Sequence, residues 1–248
     1  MFSFIIPVLY EGSSINNVIG KLYNQFSTDV FEIIVVDGDP KKSTISHIGF
    51  FNHSKQQSNI KPLPPKYPKI KLLVSKPGRG TQMNAGARLA EGDILIFLHA
   101  DTQMPLDGLK HIIEIMNTSQ YKAGAFKLAF DSERRVYRLI EKLASWRCCI
   151  TRIPYGDQAI FMSKFYFQKI GGFAEIPIME DIDLMLRIRK RKDRVYISDK
   201  CIKTSARRWE EEGVLYCAVR SSILALLFKF GIQPHRLLKY YKIFRSNT

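Results

Sequence analysis

Acidic side chains are scarce in this chain. Only 23 Asp and Glu stand against 38 Lys and Arg, a formal charge of +15 over 248 residues. That balance favours anionic partners: nucleic acid, acidic lipid or a phosphorylated substrate. No nucleic-acid-binding motif accompanies the charge, so nucleic acid is not expected as a partner. Cysteine is sparse as well. Cys148, Cys149, Cys201 and Cys217 form no C-x-x-C pair, and adjacent cysteines rarely bridge each other. Free thiols and a cytoplasmic setting are expected. The opening MFSFIIPVLYEG has no basic residues ahead of its short apolar run, which marks it as a first strand rather than a signal peptide. Long apolar runs are missing too. In the most apolar stretch, Val214 to Ile232, Arg220 and the pair Ser221-Ser222 break the run. An arginine at a bilayer centre costs about 2.5–3.5 kcal/mol on insertion scales. A helix packed on the domain or lying on a membrane surface is therefore expected, not a spanning one.

What is present is enough for a full core: 46% of the residues are hydrophobic, and the length suits one large or two small domains. No internal repeat is visible. Phe2 to Val8 is a β-type run. Ser13 or Ser14 can cap a following helix with Ile15, Val18, Ile19, Leu22, Tyr23 and Phe26 on one face. Phe31 to Val36 is a second buried strand, stopped by Asp37-Gly38-Asp39-Pro40. Strand, helix, strand implies a right-handed parallel unit. A short helix is expected over Ser43 to Phe51, then an exposed proline-rich excursion HSKQQSNIKPLPPKYPK, then a third strand over Ile70 to Val74.

The most informative stretch is GRGTQMNAGARLAEGDILIFLHAD, Gly78 to Asp101. A helix is expected from about Gln82 to Glu91, with Met83, Ala87 and Ala90 on one face and Gly92 closing it in a positive-φ position. Ile94 to Leu98 suits a strand buried on both faces. Its polar end, His99-Ala100-Asp101, would lie at the carboxyl edge of the sheet, where open α/β sheets bind ligands. Positions i and i+2 of an extended segment share a side, so His99 and Asp101 can address one ion or one substrate. The alternative is a turn in which Asp101 caps the next helix.

Further on, a helix over Leu106 to Met116 should bury Leu109, Ile112, Ile113 and Met116. Strands are expected at Ala125 to Phe130, Gln158 to Met162 and Val195 to Ile197. An amphipathic helix, Ser132 to Arg147, should use Val136, Leu139, Ile140 and Leu143 as its apolar face. Ser163 caps a short helix ending at Gly171-Gly172. Glu180 to Lys192 is helical, and its basic run from Arg187 to Arg194 is either a solvated face or a contact for anionic lipid. A last helix starts at Pro234 and carries Leu237, Leu238, Tyr241 and Phe244.

Seven segments occur in a set order: FIIPVLYEGSSI, IIVVDGDP, GRGTQMNAGARLAEGDILIFLHADT, YGDQAIF, GGF, MEDIDLMLRI and SARRWEEEGV. The series resembles family 2 glycosyltransferases of the GT-A fold. It is most similar to a small bacterial subgroup described as glycosyltransferase 2-like, or transferase 2 associated with radical-SAM and selenoprotein genes. The resemblance covers Phe2 to about Tyr241. It implies an α/β fold with a mixed, mostly parallel sheet flanked by helices, a catalytic domain over residues 1–212 and a helical extension over 213–248. It also implies inverting transfer of a sugar from a nucleoside diphosphate sugar to a hydroxyl acceptor it does not identify, assisted by Mg²⁺ or Mn²⁺. Localisation would be cytoplasmic, with peripheral contact at an anionic inner membrane face as a further option.

By the same resemblance, Asp37 holds the nucleotide base, Pro7 and Glu11 belong to the first donor loop, and Arg79 and Asn84 line the donor pocket. Asp101 is the last carboxylate of a D-x-D metal motif. Asp181, beside Glu180, is the base. Arg208 and Trp209 are the family's R-W pair near phosphate and acceptor; from their chemistry Arg207 joins Arg208 as a forked phosphate donor, and Asp157 can orient the acceptor side. These residue types suit the chemistry: a diphosphate leaving group needs positive charge from a metal or arginines, and an attacking hydroxyl needs a carboxylate to take its proton. Three positions depart from the pattern. His99 replaces the first D-x-D aspartate, and can ligate metal, donate to a phosphate or only pack. Tyr10 stands where the family often has Asn, and DGDPKKST replaces DGGSTD, leaving open whether Asp39 shares the task of Asp37. Helix capping by Glu180 and Asp181, strand capping by Asp157 and a core place for Trp209 are the plainer readings. Two other functions compete. A nucleotidyltransferase would need a glycine-rich loop where PVLYEG stands. A catalytically inactive basic protein for membrane or nucleic acid would not need Asp37, Asp101 and Asp181.

Overall fold

Strand Phe2–Val8 (β1) is followed by helix Gly12–Gln25 (α1) and strand Phe31–Asp37 (β2), as the periodicities require. The structure is a computed structural model that describes residues 1–26, 30–48 and 70–241. Strand Ile70–Val74 (β3), helix Arg79–Leu89 (α2), strand Ile94–Phe97 (β4) and the short strand Thr102–Gln103 (β5) come next. They lead to helix Gly108–Met116 (α3), strand Tyr121–Phe130 (β6) and helix Arg135–Thr151 (α4). Strand Phe161–Ser163 (β7), helices Lys164–Lys169 (α5) and Glu180–Lys190 (α6), and strand Arg194–Thr204 (β8) follow. Helices Arg207–Glu212 (α7), Val214–Lys229 (α8) and Pro234–Leu238 (α9) complete the order.

The strands form one sheet in the order β3-β2-β1-β4-β7-β6-β8-β5. The first four are parallel. β7 is antiparallel to both its neighbours, β6 runs parallel to β8, and β5 closes the edge antiparallel. The parallel half is buried on both faces because its side chains alternate between two cores. Ile5, Ile34, Val36, Leu95 and Phe97 face one core with Met83 of α2 and Ile182 of α6. Phe4, Ile6, Ile33, Val35 and Ile96 face the other with Ile19 of α1 and Ile112 of α3.

Several boundaries differ from expectation. α1 starts at Gly12 with Glu11 as its cap residue, and the Ser14 hydroxyl donates to Glu11 Oε2 at 2.9 Å instead of capping. α2 starts at Arg79, a turn early, and ends in an extended Ala90. Gly92 does not close that helix. It is needed for close approach, since a Cβ there would lie 2.7 Å from the Phe2 carbonyl carbon and 2.5 Å from Ser3 Oγ. Ile115, not Ile113, turns inward on α3. β6 and β8 are longer than their apolar runs, because they pair with each other along most of their length. Gly156–Gln158 is a 3₁₀ turn before β7. Of the expected helix over 43–51, one 3₁₀ turn forms at Ile45–His47. Its end, the proline-rich stretch and Phe244 lie outside the described residues. α4 forms as an amphipathic helix, and its apolar residues Val136, Leu139 and Leu143 are exposed, while Tyr137 and Cys148 are its buried residues.

One buried carboxylate pins the amino edge of the sheet. Glu32 Oε1 accepts from the Ser3 hydroxyl at 2.6 Å and from the backbone N–H groups of Glu91 and Gly92, and Oε2 meets Lys71 Nζ at 2.8 Å. Burial alone would raise its pKa, but Lys71, Ser3 and the two N–H groups outweigh burial and lower it. A depressed carboxylate stabilises the fold above its unfolded pKa, and that contribution is lost as the pH falls through the folded one. Glu32→Gln should therefore cost about 1–3 kcal/mol in urea denaturation at pH 7. The gap to the wild type should narrow below about pH 4.5. An equal gap at both pH values would show that packing, not charge, sets the loss.

Candidate active site

The loops after β1, β2 and β4 leave the sheet at one carboxyl edge, and a cleft opens there. It has two chambers. One, of about 390 Å³, is lined by Pro7, Glu11, Gly78, Gln82, Arg207 and Leu238 among others. The second, of about 170 Å³, is lined by Tyr155, Gly156, Asp157, Asp181, Trp209 and Arg220 among others. Arg79, His99, Asp101, Ile178, Arg208 and Tyr241 line both, and so form the wall between them.

Asp181 sits in the first turn of α6, with its Oδ2 accepting from the Gly156 N–H at 2.6 Å and its Oδ1 from the Ile182 N–H at 2.8 Å. Met179, the cap residue, is left-handed at φ 70°, and this bend turns the helix start toward the cleft. Such backbone strain persists only where packing holds it. A Cβ at Gly156 would stand 3.3 Å from Asp181 Oδ2 and 3.4 Å from His99 Nε2, so both groups face one small space over that glycine. Glu180 does not share the space. It is buried, its Oε1 pairs with Arg79 Nε at 2.8 Å, and its Oε2 has no hydrogen-bond partner among the described residues. Burial pushes its carboxyl up, against the pull of Arg79. The guanidinium in turn is held charged by Glu180.

Asp157 lies beside Asp181 with a buried Oδ1 that has no hydrogen-bond partner among the described residues. Burial first, then the Asp181 charge, raises its pKa to about 6. Burial, then the Arg79 charge, lowers that of His99 to about 4, so His99 is neutral at pH 7 and keeps a lone pair free. Asp101 follows it, accepting from the Thr102 hydroxyl at 3.1 Å. Glu11, across the wider chamber, is raised by burial and then, against the Ser14 bond, by the Asp101 charge. Among the described residues, no three His, Cys, Asp or Glu side chains are grouped as ligands for a metal.

The arginines come from the far wall. Arg207 Nη2 lies 3.9 Å from Glu11 Oε2. Arg208 donates from Nε to Glu212 at 3.1 Å and from Nη1 to the Tyr241 hydroxyl at 2.8 Å. Trp209 packs edge-on against Phe130 at 5.1 Å and also lines the smaller chamber. Two residues expected in the pocket stand behind it. Asp37 is fully buried; its Oδ1 accepts from the Asp39 N–H and its Oδ2 from the Thr44 and Ile45 N–H groups, so it shapes the loop after β2. Asp39 accepts from the Lys41 N–H. Asn84 exchanges two hydrogen bonds of 2.9 Å with the Phe173 backbone and steadies the chain that leads into α6.

Three wall residues escaped the sequence reading. Gln82 Nε2 donates to the Val8 and Val36 carbonyls at 2.8 Å each, tying the ends of β1 and β2. Arg220, noted only as a break in an apolar run, is buried and shares Glu212 with Arg208. Tyr241, noted only as apolar, presents its hydroxyl to Arg208. The polar atoms of Arg220 and Tyr241 were the signal, at helical spacing beside apolar neighbours. The stretch after residue 213 thus supplies part of the pocket wall.

Because the folded pKa of Asp157 exceeds the unfolded value of 3.8, its contribution to stability is full below that value and is lost as the pH rises through about 6. Asp157→Asn should be more stable than the wild type at pH 7, by up to about 3 kcal/mol. Its urea midpoint should also vary less between pH 4 and 6. A destabilised variant at pH 7 would mean that the charged carboxylate has a partner in solution.

Comparison with known proteins bears on this cleft. The family model described as glycosyl transferase family 2 matches residues 3–170. No curated protein matches the chain. Among solved structures, S. aureus TarS 1-349 superposes with a TM-score of 0.60 at 17% identity, over 96% of this chain and 68% of that one. The same fragment in complex with UDP gives a TM-score of 0.63 at 16% identity, over 96% and 69%. In complex with UDP-GlcNAc it gives 0.58 at 18%, over 82% and 58%. At these identities the likeness is one of fold. The family match covers more than half of the chain and includes the loops after β1, β2 and β4 that open the cleft, so the protein belongs to glycosyl transferase family 2 and is a glycosyltransferase.

Proposed function

We propose that the protein transfers a sugar from a nucleoside diphosphate sugar to a hydroxyl acceptor by direct, inverting displacement. One observation carries this above all: Asp181, anchored by two backbone N–H groups, faces the smaller chamber, while Arg79 and Arg208 line the wall shared with the larger one. The larger chamber suits the nucleotide. Pro7, Glu11 and Arg207 border it, and the UDP complexes of the TarS structures favour a nucleotide ligand in this fold. The smaller one suits the acceptor, with Asp157, Tyr155 and Trp209 around it.

In the reaction the Asp181 carboxylate takes the acceptor hydroxyl proton as that oxygen attacks the anomeric carbon. The bond from that carbon to the diphosphate oxygen breaks, and its electron pair leaves with the nucleoside diphosphate. Arg79 and Arg208 meet the developing charge with oriented N–H donors. Glu180 acts one step back, by holding Arg79. The donor set also fits a divalent ion. Mg²⁺ and Mn²⁺ often use one or two protein carboxylates and complete their shell with phosphate oxygens and water. Asp101, with the neutral imidazole of His99, matches that need. Such an ion would supply further positive charge to the diphosphate. An anionic membrane surface is the second partner in this reading, favoured by the +15 charge.

Asp181→Asn should lower transfer at least 10³-fold and leave the thermal shift with UDP within about 1 °C of the wild type. Wild-type-like turnover would reject Asp181 as the base. Mn²⁺ should enlarge the thermal shift that UDP produces, and Asp101→Asn should remove the increment but keep the metal-free shift. A Mn²⁺ effect unchanged in Asp101→Asn would assign the ion to other residues.

A further inference from the structure

Two surface helices, α4 and α8, turn large apolar side chains to solvent. On α4, Val136, Leu139, Leu143, Trp146 and Ile150 form one exposed stripe at helical spacing, with Trp146 at 67% exposure. On α8 the stripe is Leu215, Val219, Ile223, Leu226 and Phe230, the last 78% exposed. Large apolar side chains gathered in a stripe mark a surface that another phase or molecule covers.

The two helices pack on shared clusters at both ends. Val214, at the start of α8, packs on the cluster of Phe130, Tyr137 and Ala206 that Ile140 of α4 also joins. At the other end, Leu224 and Ala225 share a core with Cys148. Burial first, then the charges of Arg147 and Arg189, holds the Lys229 ammonium below the usual lysine range, which sets the end of α8 near that of α4. Each helix uses its opposite face against the protein: Tyr137 and Cys148 on α4, Cys217, Arg220 and Leu224 on α8.

Charge selects the occupant. Residues 213–248 contain no Asp or Glu. Exposed Lys229, His235, Arg236 and Lys239 rim the end of α8, and exposed Arg135, Arg138, Lys142 and Arg152 rim α4. The lone carboxylate of α4, Glu141, is engaged by Arg138. A second copy of the chain would set cations against cations across a two-fold axis. An anionic bilayer takes both features, burying the apolar stripe below the headgroups while the rim meets their charge. No helix among the described residues is long and apolar enough to cross a membrane.

We infer that the paired outer faces of α4 and α8 dock the protein flat on an anionic lipid bilayer. This rests on the membrane partner proposed above and locates it on two helix faces, one of which, on α8, the sequence reading had offered for a membrane surface. Because the inner face of α8 carries Arg220 into the smaller chamber, docking brings the acceptor side of the cleft to the lipid surface.

Vesicle co-sedimentation of the full chain tests this. With phosphatidylcholine vesicles containing about 30% phosphatidylglycerol, the protein should pellet, and pure phosphatidylcholine should bind at least 10-fold less. Leu139→Glu with Leu143→Glu, or Leu226→Glu with Phe230→Glu, should each lower partitioning at least 10-fold. Circular dichroism and the thermal shift with UDP should be unchanged. Wild-type binding by both variants would overturn the docking face. So would absence of binding to the anionic vesicles, or a dimer in sedimentation equilibrium that the same substitutions dissolve. A variant that keeps its UDP shift but loses vesicles leaves the catalytic reading intact. Vesicle binding without any nucleotide shift would reject the catalytic reading alone.

Discussion

The Arg79–Glu180 ion pair joins the two halves of the sheet at the cleft. Arg79 opens α2, which lies between the parallel strands β3 and β4; Glu180 opens α6, which lies between β7 and β8. The neighbouring Asp181 is set by its own bonds from the Gly156 and Ile182 N–H groups. Removing one member of a buried pair typically costs about 3–5 kcal/mol. The pair also explains a division of labour. Two adjacent acidic residues at one helix start face different ways, one holding an arginine and the other reaching the chamber.

The same logic recurs around the pocket. Glu212 holds Arg208 and Arg220, and Tyr241 adds a hydroxyl to Arg208. Asp37 and Asn84 hold backbone. Cations are thus fixed before any ligand arrives, which is what stabilising a charged leaving group requires. Asp157 and His99 are the exceptions. Burial leaves one with a raised pKa and the other with a lowered one, and both line the smaller chamber. Perturbed groups of this kind, gathered in one cleft, are the usual mark of a working site.

The surface tells a different story from the pocket. An apolar stripe on a helix ordinarily predicts a core face, and for α1 and α3 it does so with small errors such as Ile113. For α4 the rule fails, because periodicity reports that one face is apolar but not which phase will cover it. Tyr137 and Cys148 turn inward instead, one in contact with the α7–α8 junction and the other bonded to Gln158.

From residue order alone came the parallel core, its alternation between two faces, the carboxyl edge with its acidic ends, and the kinship of the seven segments. Those are local matters: spacing along a strand or helix sets which side a group takes, whatever lies opposite. Folding in three dimensions settled which polar groups reach the cleft and which serve the scaffold. Asp37 went to a loop and Asn84 to a turn, while Arg220 and Tyr241 entered the wall from residues 213–241. A carboxylate or guanidinium is committed by its nearest partner. That partner is commonly dozens of residues away, as Glu180 is from Arg79, and no spacing in the chain records the distance that folding closes.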